Sequence, residues 1–507
     1  MKDNNHGGAA PEFIRNSIWN FTASLMTRIG AFIVTIILAR YLLPEGYGLY
    51  SLAFTVALFF ATFTNLGIDG ALIRYFSNSL GRNNKKEASE YYRYLLKIRL
   101  WVMIAAFLIL FVLAYPISNY VFKNSALFWP LILFSFYVLL SPLDTFYISC
   151  FSAIKKMRFI TYREILSQGL RIVLIVGILF LFNPKQYINM IILATVLVTI
   201  ISIFYSRHNL KKTIPWIFQK NQNYEIDKKR ITRFLIASAA AGISGVFFAY
   251  IDSILLGIYI PQTEYVGFYR AGYTLVFSII GLLSVSTLLL PYFSSFGKER
   301  FADAFRKVFR YIALITIPAS FGVFILGKYF LLVYGREYLP AALPIYFFSF
   351  IIFADCISGL YGSALSAKEM PQEALKVLVT TSIVNIVLNI VLISSLIKIS
   401  PLSAVVGASI ALLISKYFYL FYIGVLFRKR THVRIDLASV WKIIFASLIM
   451  GGAIYGAIRI FGDVDLIKGI MLIILGVVVY FVVLLILGMI GREEWILVKR
   501  LMNVKNN

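Results

Sequence analysis

Charged side chains are scarce in this sequence: they make up 14% of its 507 residues, where a soluble domain carries about a quarter. Cysteine and histidine are scarcer still. Cys150 and Cys356 lie far apart in apolar segments, which excludes a disulfide framework and a thiolate metal centre. His6 sits in the polar N-terminus, and His208 and His432 in basic loops, a spacing that supports neither a ligand set nor a triad. No cofactor or metal is expected. GVFILGKY (322–329) starts like a phosphate-binding loop, but Tyr329 stands where Ser or Thr would hold Mg²⁺. That segment also lies within an apolar helix, so no built-in ATPase is expected. The sequon Asn20-Phe21-Thr22 falls inside an apolar span too. No cleaved leader is read after the polar start MKDNNHGGAAPE; the first helix is expected to be its own insertion signal.

What the chain has in plenty is apolar surface, 60% of its residues, in long blocks rather than amphipathic stripes. About 20 apolar residues span a ~30 Å hydrocarbon core. Fourteen segments qualify, near 14–42, 46–72, 95–117, 126–150, 161–182, 187–206, 233–258, 266–291, 311–332, 343–366, 376–397, 402–427, 442–461 and 467–490. The expected fold is therefore all-α and membrane-embedded, with fourteen transmembrane helices. Most of the 49 Lys and Arg fall in alternate connections. If the termini are cytoplasmic, thirty-seven lie inside, nine lie at the outer side, and Arg28, Arg171 and Lys416 lie within spans. The net charge of +26 then faces the inner leaflet and its anionic lipids, and no nucleic-acid partner is needed to explain it.

The chain repeats itself. PEGYGLYSLAFTVALFF (44–60) matches QTEYVGFYRAGYTLVFSI (262–279), aligning Gly48 with Gly267. IRYFSNSLGR (73–82) matches LPYFSSFGKE (290–299), and FSAIKKM (151–157) matches LSAKEM (365–370), at nearly the same offset. Two parallel six-helix halves around a central cavity follow, with two extra C-terminal helices. The expected division is 1–230 for the N-terminal lobe with its basic linker, 231–430 for the C-terminal lobe, and 431–507 for helices 13 and 14 and the tail.

Residues at i+3, i+4 and i+7 share a helix face. On the first helix Asn20, Ser24 and Arg28 form such a stripe, and on the second Asn65 and Asp69 belong to one. On the seventh and eighth, the stripes include Asp252 and Arg270. The third and fourteenth helices have almost no polar face and are expected to meet lipid. An Arg at mid-membrane costs roughly 2.5–3.5 kcal/mol, so Arg28, Arg171 and Lys416 together would cost roughly 8–10 kcal/mol. That rivals a fold's whole ~5–15 kcal/mol stability. Each must be hydrated, paired or bound to something. The candidate substrate-binding set is thus Asn20, Ser24, Arg28, Asn65, Asp69, Arg171, Asp252, Arg270 and Lys416. Arg28 is expected to bind an anionic group, since guanidinium and phosphate form two parallel charge-assisted bonds. Asp252 and Asp355 are the candidates for ion coupling. Tyr47, Tyr50, Tyr265, Tyr269 and Tyr273, near the segment ends, suit either an aromatic belt or stacking on sugars.

ILARYLLPEGYGLYSLAF, followed by NLGIDGALIRYF, resembles the N-terminal signature of the prokaryotic polysaccharide flippases. These are the O-antigen or lipid-linked oligosaccharide exporters of the multidrug/oligosaccharidyl-lipid/polysaccharide superfamily. AYIDSILLGIY, then EYVGFYRAGYTL, resembles that family's seventh and eighth helices. The resemblance implies a transporter and not an enzyme. It implies a glycan on a polyprenyl phosphate or diphosphate, flipped to the outer leaflet of a prokaryotic plasma membrane by alternating access. Its partners would be anionic lipids and the polymerase or glycosyltransferase machinery of surface-glycan assembly. Relatives that flip the peptidoglycan precursor carry early-helix arginines to which Arg28 is the counterpart in role; the richer arginine pattern of that subfamily is missing here, which favours an exported surface glycan. The extra helices imply a groove for the lipid tail. The alternative is a cation-coupled multidrug or small-molecule antiporter, which would place anionic residues at mid-cavity. A membrane enzyme would need a large outer loop, whereas the outer connections here, such as NPKQ and PQTE, are short.

Overall fold

The computed structural model describes residues 9–219, 224–284, 289, 293–294, 297–462 and 464–489. Among them the regular elements are helices, and no strand occurs. Lipid offers the backbone no water, so an apolar run closes its N–H and C=O groups within itself. The helices are α1 (Ala9–Phe63), α2 (Ile68–Ala71), α3 (Ser77–Gly81), α4 (Lys85–Pro116), α5 (Phe128–Ala153), α6 (Met157–Leu181), α7 (Tyr187–Thr213) and α8 (Lys228–Tyr259). They continue with α9 (Thr263–Leu283), α10 (Lys298–Phe330), α11 (Ala342–Ser349), α12 (Ile351–Ala367), α13 (Pro371–Leu396), α14 (Pro401–Thr431), α15 (Leu437–Phe461) and α16 (Leu466–Ile486). Polar side chains mark several starts: Asn84, Asp227, Asp436 and Asp465 accept from the backbone N–H of Glu87, Arg230, Ala438 and Lys468.

Thirteen stretches among the described residues are long and apolar enough to cross a membrane. They number thirteen rather than the expected fourteen because Ile18–Phe63, counted once, contains two helices on either side of a non-helical residue. Ile18–Phe63 covers 46 residues, about twice what a ~30 Å core requires. It is broken in the middle at Leu43, whose φ of 58° and ψ of 173° are not helical, and Pro44 follows. Proline has no N–H for the helical ladder, so a kink there is expected. Half of the repeat motif LPYFSSFGKE (290–292 and 295–296) and the basic tail from 490 lie outside the described residues.

Contacts group the chain into two compact units. Unit 1 contains Met1–Arg270 and Ser382–Ala408; unit 2 contains Ala271–Thr381 and Ser409–Asn507. One core of unit 1 gathers Phe76, Tyr92, Phe146 and Phe151 around the connection from α2 to α4. α1 ends at Phe63, and the chain turns through Gly67 at φ 75°. A Cβ at Gly67 would collide with the Ser238 side chain of α8, so glycine is required there twice over. In unit 2, Phe301, Phe305, Tyr361 and Phe427 pack α10, α12 and α14 together. The Tyr480 hydroxyl donates to the Leu314 carbonyl at 2.8 Å, tying α16 to α10. Exposed apolar side chains crowd α4 and α16, with Trp101 at 69% and Ile486 at 77%. These are the third and fourteenth predicted spans, the ones expected to face lipid.

Candidate functional site

The three cations expected within spans have three different surroundings. Lys416 on α14 donates to the Asp355 carboxylate on α12, and its ammonium lies 5.6 Å from the Phe277 ring. The candidate substrate cation and the candidate coupling acid of unit 2 therefore hold each other. Arg171 on α6 is half-buried and lies within electrostatic reach of the Tyr50 hydroxyl, which bonds Thr195. Its Nε is buried with no hydrogen-bond partner.

Arg28 is the third. It is half-buried on α1, and among the described residues no carboxylate, hydroxyl or carbonyl partners its guanidinium. Gly30 sets its direction. A Cβ at Gly30 would lie 2.6 Å from Cγ of Gln168, so that face of α1 is pressed on α6. At 3.6 residues per turn, a position two residues earlier points about 200° away. Arg28 is thus turned away from α6, and Ser24 and Asn20 continue its face, half-buried and exposed respectively.

The other candidates have occupants. Arg99 on α4 reads in the sequence as one of the inner-loop cations, yet it is 0% exposed. It donates to the Thr64 carbonyl at 3.0 Å and to the Asp69 carboxylate. Asn65 Oδ1 accepts from the Asp69 backbone N–H at 3.3 Å. Asn65 and Asp69 are therefore engaged in holding the break between α1 and α2. A similar buried group joins Arg163 to Asp144 and Glu164, where α5 meets α6.

Asp252 on α8 is 3% exposed. It accepts from the Tyr269 hydroxyl at 2.8 Å and from Asn389 Nδ2 on α13 at 2.6 Å. Arg270, half-buried on α9, lies within electrostatic reach of Tyr250. Of the five tyrosines weighed for sugar stacking, Tyr47, Tyr50 and Tyr269 are buried, so packing has claimed their faces. Sequence reading missed Arg99, Arg163, Gln168 and Asn389. For Asn389 a signal existed: it stands one turn from Asn385 in an apolar span. For Arg99, at the edge of YLLKIRLWVM, none separates a loop cation from a buried one.

Unit 2 also contains an apolar hollow of ≈ 370 Å³ between α10, α15 and α16. Leu314, Pro318, Val323, Met450, Ile454 and Val477 are among its walls.

The family model described as "Polysaccharide biosynthesis protein" matches residues 13–296. "Probable low-salt glycan biosynthesis flippase Agl15" of Haloferax volcanii is 20% identical over 254 residues, which are 49% of this chain and 52% of that protein. "Probable flippase AglR" of the same organism is 25% identical over 178 residues, 33% of this chain and 35% of that protein. The chain thus spans about half, or less, of the length of these curated relatives. Among solved structures, "Lipid II flippase MurJ, inward closed conformation" superposes with a TM-score of 0.71 at 16% identity. That match covers 93% of this chain and 98% of the other, and at such identity it speaks for the fold alone.

Proposed function

Starting from the fact that this multi-pass membrane chain belongs to the polysaccharide biosynthesis protein family, we propose that it flips a glycan linked to a polyprenyl phosphate or diphosphate. The movement runs from the cytoplasmic to the outer leaflet of a prokaryotic plasma membrane, by alternating access, with both termini cytoplasmic. The chain acts as a transporter and not as an enzyme. It works beside the glycosyltransferase or polymerase machinery that makes and uses such lipids.

Arg28 carries this reading. A cation in a span needs a partner, and Arg28 has none among the described residues while facing away from α6. A phosphate entering that space would supply two parallel charge-assisted bonds. Asn20 and Ser24 on the same face offer hydrogen bonds to sugars. The apolar hollow beside α15 and α16 suits the polyprenyl chain. Asp252, which accepts from Tyr269 and Asn389, is the proposed coupling acid of unit 1, and Asp355 that of unit 2.

The test is flipping of a labelled polyprenyl-diphosphate oligosaccharide in proteoliposomes, followed by its exposure to an outside reagent. Removing a bond to a charged group costs about 1.5–3 kcal/mol, so Arg28→Ala should slow exposure about 10- to 100-fold. Arg28→Lys keeps the charge but loses the fork and should fall between. Equal rates in all three would remove Arg28 from the site. An Asp252→Asn chain with intact ion dependence would dismiss that residue from coupling. Cation-coupled antiport remains the second reading, favoured by the buried carboxylate of Asp252. It gains if the wild type moves no glycan lipid but exchanges an organic cation for an ion.

A further inference from the structure

Unit 2 has another apolar hollow, beside the basic connection that follows α14. Phe309 of α10, Phe353 and Ile357 of α12, and Leu420, Phe421 and Gly424 of α14 line it, and it measures ≈ 510 Å³. Phe421 on its rim is 72% exposed, so the hollow opens sideways, where lipid surrounds a membrane protein. Apolar walls facing lipid take an acyl chain as their natural filling.

Two guanidinium groups border the same hollow. Arg428 lies in the last turn of α14, and Arg434 lies in the connection beyond it. Both are exposed, and neither has an ion-pair or hydrogen-bond partner among the described residues. Their neighbour Arg430 is occupied by Glu373 at 2.5 Å. The helix dipole accounts for a cation at 428, and orientation in the membrane accounts for a basic loop. Neither requires two arginines to meet over an apolar hollow.

A second hollow adjoins the first, sharing Phe309 and Ile435, and measures ≈ 310 Å³. Its charges are mixed. Arg306 faces Asp303 at 3.0 Å, and Arg310 donates to the Met489 carbonyl. The Ser439 hydroxyl holds the Asp436 carboxyl below its usual range, so it stays anionic. Bases interleaved with acids select no anion, and this hollow bounds the first.

We infer that the larger hollow is a binding site for an anionic phospholipid, with an acyl chain along Phe353, Ile357 and Leu420 and the phosphate between Arg428 and Arg434. This goes beyond the flipping reading and does not depend on it. The lipid is a resident of the protein's flank and not the cargo.

The full chain in neutral detergent, titrated with phosphatidylglycerol or with phosphatidylcholine of the same acyl chains, tests this through the thermal-unfolding midpoint. Phosphatidylglycerol should half-saturate at a concentration at least about tenfold lower than phosphatidylcholine. Arg428→Gln with Arg434→Gln should raise that concentration about thirtyfold. Lys429→Gln with Lys442→Gln removes two exposed cations that do not border the hollow, and should change it less than about threefold. Gly424→Leu fills the hollow while leaving the arginines in place, and should weaken phosphatidylglycerol as well; it keeps the test alive if the double arginine variant does not fold. Glycerol phosphate, without chains, should not stabilise the protein, and a polyprenyl phosphate should bind more weakly than phosphatidylglycerol. Equal responses to the two phospholipids would overturn the site. So would a lysine pair that matters as much as the arginine pair, an inert Gly424→Leu, or tighter binding of the polyprenyl phosphate.

Discussion

Gly48→Ala adds one methyl group where two chain segments touch backbone to backbone. The new carbon would fall on the Thr263 carbonyl, 2.6 Å from its carbon and 2.9 Å from the Gly267 nitrogen. Ordinary contact for such a carbon begins near 3.4 Å, so the segments would have to part by roughly 1.5 Å to clear the Thr263 carbonyl oxygen, and backbone cannot swing aside as a side chain can. The Thr263 hydroxyl now donates to the Glu45 carbonyl at 3.0 Å; with that separation the bond is lost. Overpacking costs about 1–3 kcal/mol and the hydrogen bond about 0.5–1.5 kcal/mol, which makes about 1.5–4.5 kcal/mol against this arrangement. Gly267 mirrors it: a Cβ there would meet the Pro44 carbonyl and lie 3.3 Å from the Gly48 nitrogen. The two glycines occupy aligned positions of the sequence repeat. Under the alternating-access cycle proposed above, with this contact taken as part of one closed state, the methyl should shift the population away from that state by about 10- to 2000-fold. The assay is labelling of Phe268→Cys, 7% exposed now, by a membrane-impermeant thiol reagent, with Cys150 and Cys356 replaced by alanine. Labelling should speed up at least about tenfold in Gly48→Ala and in Gly267→Ala. Unchanged labelling together with an unchanged melting temperature would refute the reasoning, because the methyl would then have found room that the backbone contact denies it.

Two further perturbations test the paired charges within the spans. Arg99→Met strands Asp69 without its cation, and breaking a buried pair costs about 3–5 kcal/mol; a markedly lower melting temperature in detergent is expected, and an unchanged one would mean that Asp69 was never neutralised by Arg99. Lys416→Met should destabilise unit 2 in the same way, whereas Lys416→Met with Asp355→Leu should restore most of the loss. A double variant as unstable as the single one would show that the pair does more than satisfy itself.

The helical spans were legible in the sequence because the hydrophobic signal is local. An apolar block of sufficient length must become helix in lipid whatever lies beside it. The break at Leu43 and Pro44 was legible as the gap between two apolar segments, though the backbone angles that make it were not. Arg28, Arg171 and Lys416 stood out as cations in apolar surroundings for the same local reason. Which of them needs a ligand was not legible. Lys416 reaches Asp355 and Arg99 reaches Asp69 across spacings of 61 and 30 residues, and Asn389 reaches Asp252 across 137. Partners so far apart are chosen by how helices pack, not by sequence neighbours. Arg99 shows the consequence in reverse: its sequence context resembles that of a loop cation, and only the folding of α4 against the turn after α1 takes it out of water. The sequence by itself determined what must cross the membrane and which charges would be costly there. Tertiary structure alone decided which of those costs were already met, because an ion pair forms only between side chains that packing brings within a few ångströms of each other.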